Sequence, residues 1–243
     1  MQKSDSEPDL DSPSKKVRFS PFRLAQSLGQ SSPCEVKIPE NSILQMGIEK
    51  ISDDGDGKLE YLYPPHLLQN LDFNKSPAIF KPKISAVQPG EDWMVVRPLL
   101  KSDYDKGFLQ LLGQLTNVGN VSRKQFDDSF NQMKQSGGYY VTVIEDKRIS
   151  KIIGAATLTI EQKFIHNCSL RGRLEDVVVN DTYRGKQLGK LIVVTVSLLA
   201  QELGCYKMSL DCKDKLIKFY ETLGYKLEAG NSNAMNMRFD APS

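Results

Sequence analysis

Residues Leu174–Lys190 read Leu-Glu-Asp-Val-Val-Val-Asn-Asp-Thr-Tyr-Arg-Gly-Lys-Gln-Leu-Gly-Lys. They pass from an apolar strand, through a short polar turn, into a basic loop that carries two glycines. An apolar helix then runs on to Leu203 and stops at Gly204. Three successive valines, Val177, Val178 and Val179, suit a strand covered on both faces rather than one with a wet side. Strand, loop and helix N-terminus, in that order, turn backbone N–H groups toward an anion.

Around this unit the hydrophobic pattern alternates between periods of 2 and 3.6. Strands are expected at Asp92–Leu99, Tyr139–Glu145, Lys151–Lys163, Arg171–Val179 and Tyr206–Cys212, with last strands at Tyr225 and Met235–Phe239. A helix opening at the N-cap Ser102 would set Phe108, Leu111, Leu112 and Leu115 on one face. Ser122 caps a second, with Phe126, Phe130 and Met133 at helical spacing, ended by Gly137-Gly138. Helices Arg184–Leu203 and Leu216–Leu223 complete the order β-α-α-β-β-β-α-β-α-β-β. This is an α/β chain with a mixed central sheet and helices on both faces. Residues 1–60 lack either period and are rich in Ser, Asp, Glu, Pro and Lys, as in a disordered tail. Residues 61–92 set Tyr63, Leu67, Leu68, Leu71 and Phe73 among prolines, as in an arm packed on the domain at 93–243.

Several function classes are excluded. The formal charge is only +2, and the basic residues form no long block, which argues against nucleic acid. Cys34, Cys168, Cys205 and Cys212 form no Cys-x-x-Cys pair, and His66 lies far from His166, so no metal site is expected. The run Leu191–Ala200 is too short to span a bilayer. With no signal-peptide core near Met1, the expectation is a cytoplasmic protein with reduced thiols, peripheral association with endomembranes being left open. Ser52–Gly57 hints at a calcium loop, but Tyr63 stands where the bidentate Glu belongs, so a plain Asp/Gly turn is expected. Lys16-Val17-Arg18-Phe19 resembles the short motif by which regulators dock on protein phosphatase-1, against the blander reading of a solvated basic patch.

The basic loop fails two familiar phosphate motifs. Only three residues separate Gly185 from Gly189, and Leu191 follows Lys190, so it is no P-loop; the Rossmann Gly-x-Gly-x-x-Gly is absent too. A compact cationic helix start remains, with Arg184, Lys186 and Lys190 adding charge. Glu175 and Asp176 are sequential, so in a strand they face opposite ways. Either a structural pair with Arg171 or Arg173 or contact with a cationic or hydroxylated substrate accounts for them. Tyr220 is able to act as a general acid, although a Phe219-Tyr220 pair on a helix is more often core.

Taken together, the loop Arg184–Lys190, the helix after it and Phe219-Tyr220-x-x-x-Gly224-Tyr225 resemble the acetyl-CoA-dependent N-acetyltransferase (GNAT) superfamily. That superfamily has Gly where this chain has Gln187. The form Arg-Gly-Lys-Gln-Leu-Gly-Lys is similar to that of the glucosamine 6-phosphate N-acetyltransferases. So are Gly113-Gln114-Leu115-Thr116, Gly138–Val143, Lys163–His166, Arg171–Val179 and Met237-Arg238-Phe239. The resemblance covers about Tyr61 to Phe239.

It implies a mostly antiparallel GNAT sheet and transfer of acetyl from acetyl-CoA to the amine of glucosamine 6-phosphate, a step toward UDP-N-acetylglucosamine. Val177, Val178, Val179 and the loop Arg184, Gly185, Lys186, Gln187, Leu188, Gly189 and Lys190 would hold acetyl-CoA, with no metal. The N–H near Val177 would polarise the thioester carbonyl. Asp211 would orient the amine, and Tyr220 would protonate the departing thiolate; both would also touch the coenzyme. Thr116, Lys163, Phe164, Ile165, His166, Glu175, Asp176, Val177, Val196 and Ser197 would line the sugar site. Arg238 would reach it across a homodimer, so that sites are shared. Leu216 stands where the family commonly has Asn. The alternative within the fold is a protein or polyamine acetyltransferase, and outside it a non-catalytic scaffold docked through Val17 and Phe19.

Overall fold

The computed structural model describes residues 59–230 together with Met235 and Met237. The expected tail as far as Lys58, with its Lys16–Phe19 motif and Asp/Gly turn, lies outside the described residues, as does Arg238.

Five strands form one sheet in sequence order. They are β1 (Met94–Pro98), β2 (Tyr139–Asp146), β3 (Lys151–Gln162), β4 (Leu170–Val179) and β5 (Cys205–Ser209). The first four pair antiparallel. β4 and β5 pair parallel, which requires a crossover long enough to carry a helix. Helices α1 (Phe108–Leu112), α2 (Arg123–Ser136), α3 (Leu188–Glu202) and α4 (Ile217–Glu221) accompany them. The crossover is α3. Its Leu191, Ile192, Val193, Val194, Val196 and Leu199 are fully buried, so it is apolar around most of its circumference, as a central helix must be. β3 is buried at every residue from Ile152 to Leu158, which places protein against both of its faces.

Local chemistry sets the boundaries. Ser122 and Gln125 form a reciprocal cap on α2, and Gly137, at φ +68°, ends it. Ser102 does not open a helix. Asp103 closes a short 3₁₀ turn by accepting from Leu100 N at 2.8 Å and pairing with the buried Arg97 at 2.7 Å. Gly107, left-handed at φ +78°, then restarts the chain as α1. The long helix begins at Leu188 rather than Arg184, because Gln187 is itself left-handed at φ +59°. Among the described residues Tyr225 has no ladder partner, Met235 and Met237 are exposed, and the rest of the expected strand Met235–Phe239 lies outside the described residues.

The residues before β1 add to the same core. Leu62, Tyr63, Leu68, Ile84 and Ala86 are buried, and the Tyr63 hydroxyl meets Thr142 Oγ1 at 2.6 Å.

Candidate active site

β4 is irregular where the sequence placed its carboxylates. Glu175 pairs with Thr157 and Val178 with Ala155, so Asp176 and Val177 together face the single residue Ala156. This is a β-bulge, and Asp176 takes a left-handed backbone at φ +52°. A non-glycine residue there costs on the order of 1 kcal/mol, and such strain gathers at functional sites. The bulge takes Val177 out of the regular ladder with β3.

β4 also parts from β5. Their pairing runs from Leu170–Cys205 to Arg173–Ser209 and ends there. Arg173 sits at the fork and forms ion pairs with Glu175 on one limb and Asp211 beyond the other. Glu175, and with it Asp211, raises the guanidinium's pKa further. Arg171 reaches Ser209 Oγ at 2.8 Å just below. Of the two readings of Glu175, the structure shows the Arg173 partner directly. Desolvation, then the charge of Glu175, pushes the Asp176 carboxyl up.

Past Val179 the chain turns into the loop. Asn180 Oδ1 accepts from Thr182 N at 3.0 Å, and Gln114 Oε1 accepts from Asp181 N at 3.2 Å, which brings Gly113–Thr116 to the exit of β4. Gly185 has open space around it but a φ of +83°, so it is the backbone conformation that calls for glycine. At Gly189 the backbone is helical, and an added Cβ would face Phe219 across 3.8 Å. Between them lies a cavity of about 350 Å³, bounded by Val179, Tyr183, Gly185, Gly189 and Phe219 among others. The first N–H groups of α3 have no carbonyl of their own helix to bond and line this hollow.

The cationic side chains of the loop are deployed differently from expectation. Lys186 pairs with Glu91 at 2.8 Å, Gln187 bonds Lys81, and Lys190 Nζ donates to Ile79 O at 2.7 Å. Arg184 pairs with Asp181 at 2.5 Å and stays largely exposed. What the cavity offers an anion is therefore backbone N–H groups first, with Arg184 beside them.

Tyr183 and Asp146 were missed by sequence reasoning. The Tyr183 hydroxyl donates to Asp146 Oδ2 at 2.7 Å. Asp146 is 0% exposed and also pairs with Arg148 at 2.7 Å. The Arg148 hydrogen bond, then that of Tyr183, holds the Asp146 carboxyl at about 2. Arg148 in turn stacks on Trp93 at 3.6 Å from the ring centroid. A turn 37 residues away thus braces the loop, and nothing in the local pattern of either segment signals it.

Tyr220 lies on α4, 8% exposed, edge-on to Phe219 and Tyr225. Its hydroxyl has no hydrogen-bond partner among the described residues. Burial, then nearby Cys212, raises its pKa, so it is protonated at neutral pH and free to donate. The Tyr225 hydroxyl, by contrast, is engaged with Ser197 at 2.7 Å and pushed up to about 12, chiefly by burial.

The expected sugar-site residues separate into three places. Thr116, Glu175, Asp176 and Val177 gather near the fork and the β4 exit. Val196 is fully buried inside α3, and the Ser197 hydroxyl is taken by Val193 O and Tyr225. Lys163, Phe164, Ile165 and His166 stand at the other end of β4, which a strand of this length sets about 30 Å from Val179. There Lys163 pairs with Glu161, His166 stacks on Tyr206 at 4.5 Å, and Phe164 is 97% exposed. Leu216 precedes α4, half-exposed.

Residues 102–225 match the acetyltransferase (GNAT) family. A probable glucosamine 6-phosphate N-acetyltransferase of Drosophila melanogaster is 74% identical over 180 residues, covering 74% of this chain and 82% of its own. The glucosamine 6-phosphate N-acetyltransferase of Arabidopsis thaliana is 40% identical over 146 residues, 60% of this chain and 96% of its own. The crystal structure of the Arabidopsis enzyme superposes with a TM-score of 0.58 at 40% identity, covering 60% of this chain and 99% of that one. A Trypanosoma brucei acetyltransferase structure superposes at 0.53 with 32% identity, covering 61% and 99%.

Proposed function

The chain belongs to the GNAT acetyltransferase family, and we propose that it transfers the acetyl group of acetyl-CoA to the amine of glucosamine 6-phosphate. The observation that carries this reading is the fork between β4 and β5, with an anion-binding helix start at its mouth and an unpaired tyrosine hydroxyl beside it. The relatives named above supply the acceptor.

Each residue then has a task. Backbone N–H groups of Gly185–Lys190 bind the diphosphate of the coenzyme. The N–H freed by the bulge at Val177 carries the negative charge that builds on the thioester oxygen, as an oxyanion hole does. Asp211, fixed by Arg173, orients the attacking amine through its main-chain carbonyl. Tyr220 delivers its proton to the thiolate as the carbon–sulfur bond breaks. An aminosugar amine titrates near neutrality, so positioning carries much of the rate and no strong base is needed. Transfer is direct, since no Cys–His pair stands ready as a nucleophile among the described residues.

Two finer points belong to the same reading. The separation of Lys163–His166 from the fork, and the exposed Phe164, Ile165 and Tyr206, support a homodimer in which each sugar site draws on both subunits, Arg238 included. Lys16–Phe19 would add docking of protein phosphatase-1. No helix among the described residues is long and apolar enough to cross a membrane; a cytoplasmic location belongs to the same proposal. Thiol release from acetyl-CoA with glucosamine 6-phosphate tests the function. Release with a lysine peptide but none with the sugar phosphate would replace it by a protein acetyltransferase.

A further inference from the structure

Gln187 holds a left-handed backbone that glycine adopts without strain and glutamine does not. Its side chain explains what the glutamine does there. The Nε2 donates to Lys81 O at 2.9 Å, and the Oε1 accepts from Lys81 N at 3.2 Å. One carboxamide thus satisfies both backbone groups of a residue 106 positions earlier, as a neighbouring strand would. Next to it, Lys190 donates to Ile79 O and lies 5.4 Å from the Phe80 ring centroid. Pro77 lies so close to Gly224 that a Cβ there would come within 2.9 Å of Pro77 Cγ. Gly224 follows directly on the helix that carries Phe219 and Tyr220. Residues 77–83 therefore run from the tyrosine helix to the start of α3, along the back of the loop.

We propose that residues 77–83 form a strap that locks the loop in its anion-binding shape, and that Gln187 is the positioning residue that fastens it. The proposal rests on the reading of Gly185–Lys190 as the coenzyme loop. Two left-handed residues, Gly185 and Gln187, give that loop its curvature, and unfastened it samples other shapes. Apparent affinity for acetyl-CoA then falls in proportion to the population that still has its N–H groups converged. Among the described residues no hydrogen bond joins the strap to Arg173, Glu175 or Asp211, so the acceptor end of the fork is spared.

Steady-state kinetics on the full chain, with acetyl-CoA and glucosamine 6-phosphate, test this. Gln187→Gly removes both clamp bonds and relieves the backbone strain, so it is the variant least prone to misfold. It is expected to raise the KM for acetyl-CoA on the order of tenfold, with kcat and the sugar-phosphate KM changed less than about twofold. Trypsin cleavage after Lys83 should accelerate alongside. Gln187→Glu keeps the acceptor and the reach but loses the donor, and should fall between wild type and Gln187→Gly. An unchanged acetyl-CoA KM in Gln187→Gly, or an equal loss for both substrates, overturns the strap. Calorimetry on Gly189→Glu separates this from its premise. Retained acetyl-CoA binding there removes the coenzyme loop itself, whereas lost binding together with an unaffected Gln187→Gly removes only the strap.

Discussion

The two ends of β4 are built on different terms. At the C-terminal end, each long polar side chain from Asn180 to Lys190 has a partner in the same chain: Thr182, Asp146, Arg184, Asp181, Glu91, Lys81 or Ile79. At the N-terminal end, Phe164 and Ile165 are 97% and 62% exposed, and His166, Asn167 and Cys168 are all left-handed, in a turn held by a His166–Tyr206 ring stack and a Gln162 Nε2–Cys168 O hydrogen bond. One end is complete in a single chain, and the other presents apolar rings to whatever meets it. On the proposed reading, coenzyme binding is then a property of one protomer, and acceptor binding a property of the proposed dimer.

The sharpest way to break that contrast is Gly189→Glu. The glutamate fills the cavity and sets a carboxylate where a diphosphate must enter. Acetyl-CoA affinity should fall by more than about 100-fold by calorimetry, with the oligomeric state unchanged. Surviving affinity would mean that the finished end serves some other purpose.

Tyr220→Phe should lower kcat on the order of 10- to 100-fold and leave acetyl-CoA affinity within about twofold. The sign of the pH dependence follows from burial. Tyr220 must be protonated to act, and its pKa is raised above the ordinary 10.0. Above the acceptor amine's own titration near neutrality, the kcat profile should stay level and fall only above pH 10.0. An earlier basic limb that disappears in Tyr220→Phe would assign the tyrosine a lower pKa than its surroundings allow.

Phe164→Asp probes the open end. Sedimentation should show a shift from dimer to monomer, and the sugar-phosphate KM should rise about tenfold. Binding of acetyl-CoA should be nearly untouched, because its half of the site is finished within the chain. Equal damage to both substrates would erase the distinction between the ends.

The smallest expected effect is at the brace behind the loop. Asp146→Asn should destabilise the fold by at most about 2 kcal/mol and raise the acetyl-CoA KM about threefold. Asp146 is depressed from 3.8 to about 2 in the folded state. Its contribution is therefore complete above pH 3.8 and is lost as pH falls through 2. Urea titrations across that window should show the wild type losing this increment and Asp146→Asn lacking it throughout.

The sheet and its helices were largely legible because burial leaves a periodic trace. β2, β3, β4 and α2 sit within a residue or two of their expected bounds, and Ser122 caps as read. The misplacements share a cause. Ser102 and Arg184 mark points where a left-handed residue or a long-range bond decides the chain path, and neither has a period. Glu175 and Asp176 drew notice as costly charges in a strand, but the bulge that separates their roles depends on register with β3. Lys186 and Lys190 were read as adding charge at an anion site, and Gln187 entered the coenzyme loop only through the resemblance. Their actual partners, at residues 79–91, are close in space and remote in sequence.

Among the described residues, β4 beyond Arg173 is paired with β3 alone. Its other edge presents N–H and C=O groups of alternate residues, recurring about every 6.8 Å. On the proposed reading, groups on that edge find their partners in a molecule with amides at the rhythm of a strand. The pantetheine arm of coenzyme A carries two such amides, and a simple alkyl thiol carries none. Selection thus falls on the carrier as well as on the acetyl group it brings. An acetyl thioester stripped of that arm forfeits the edge however well its carbonyl fits.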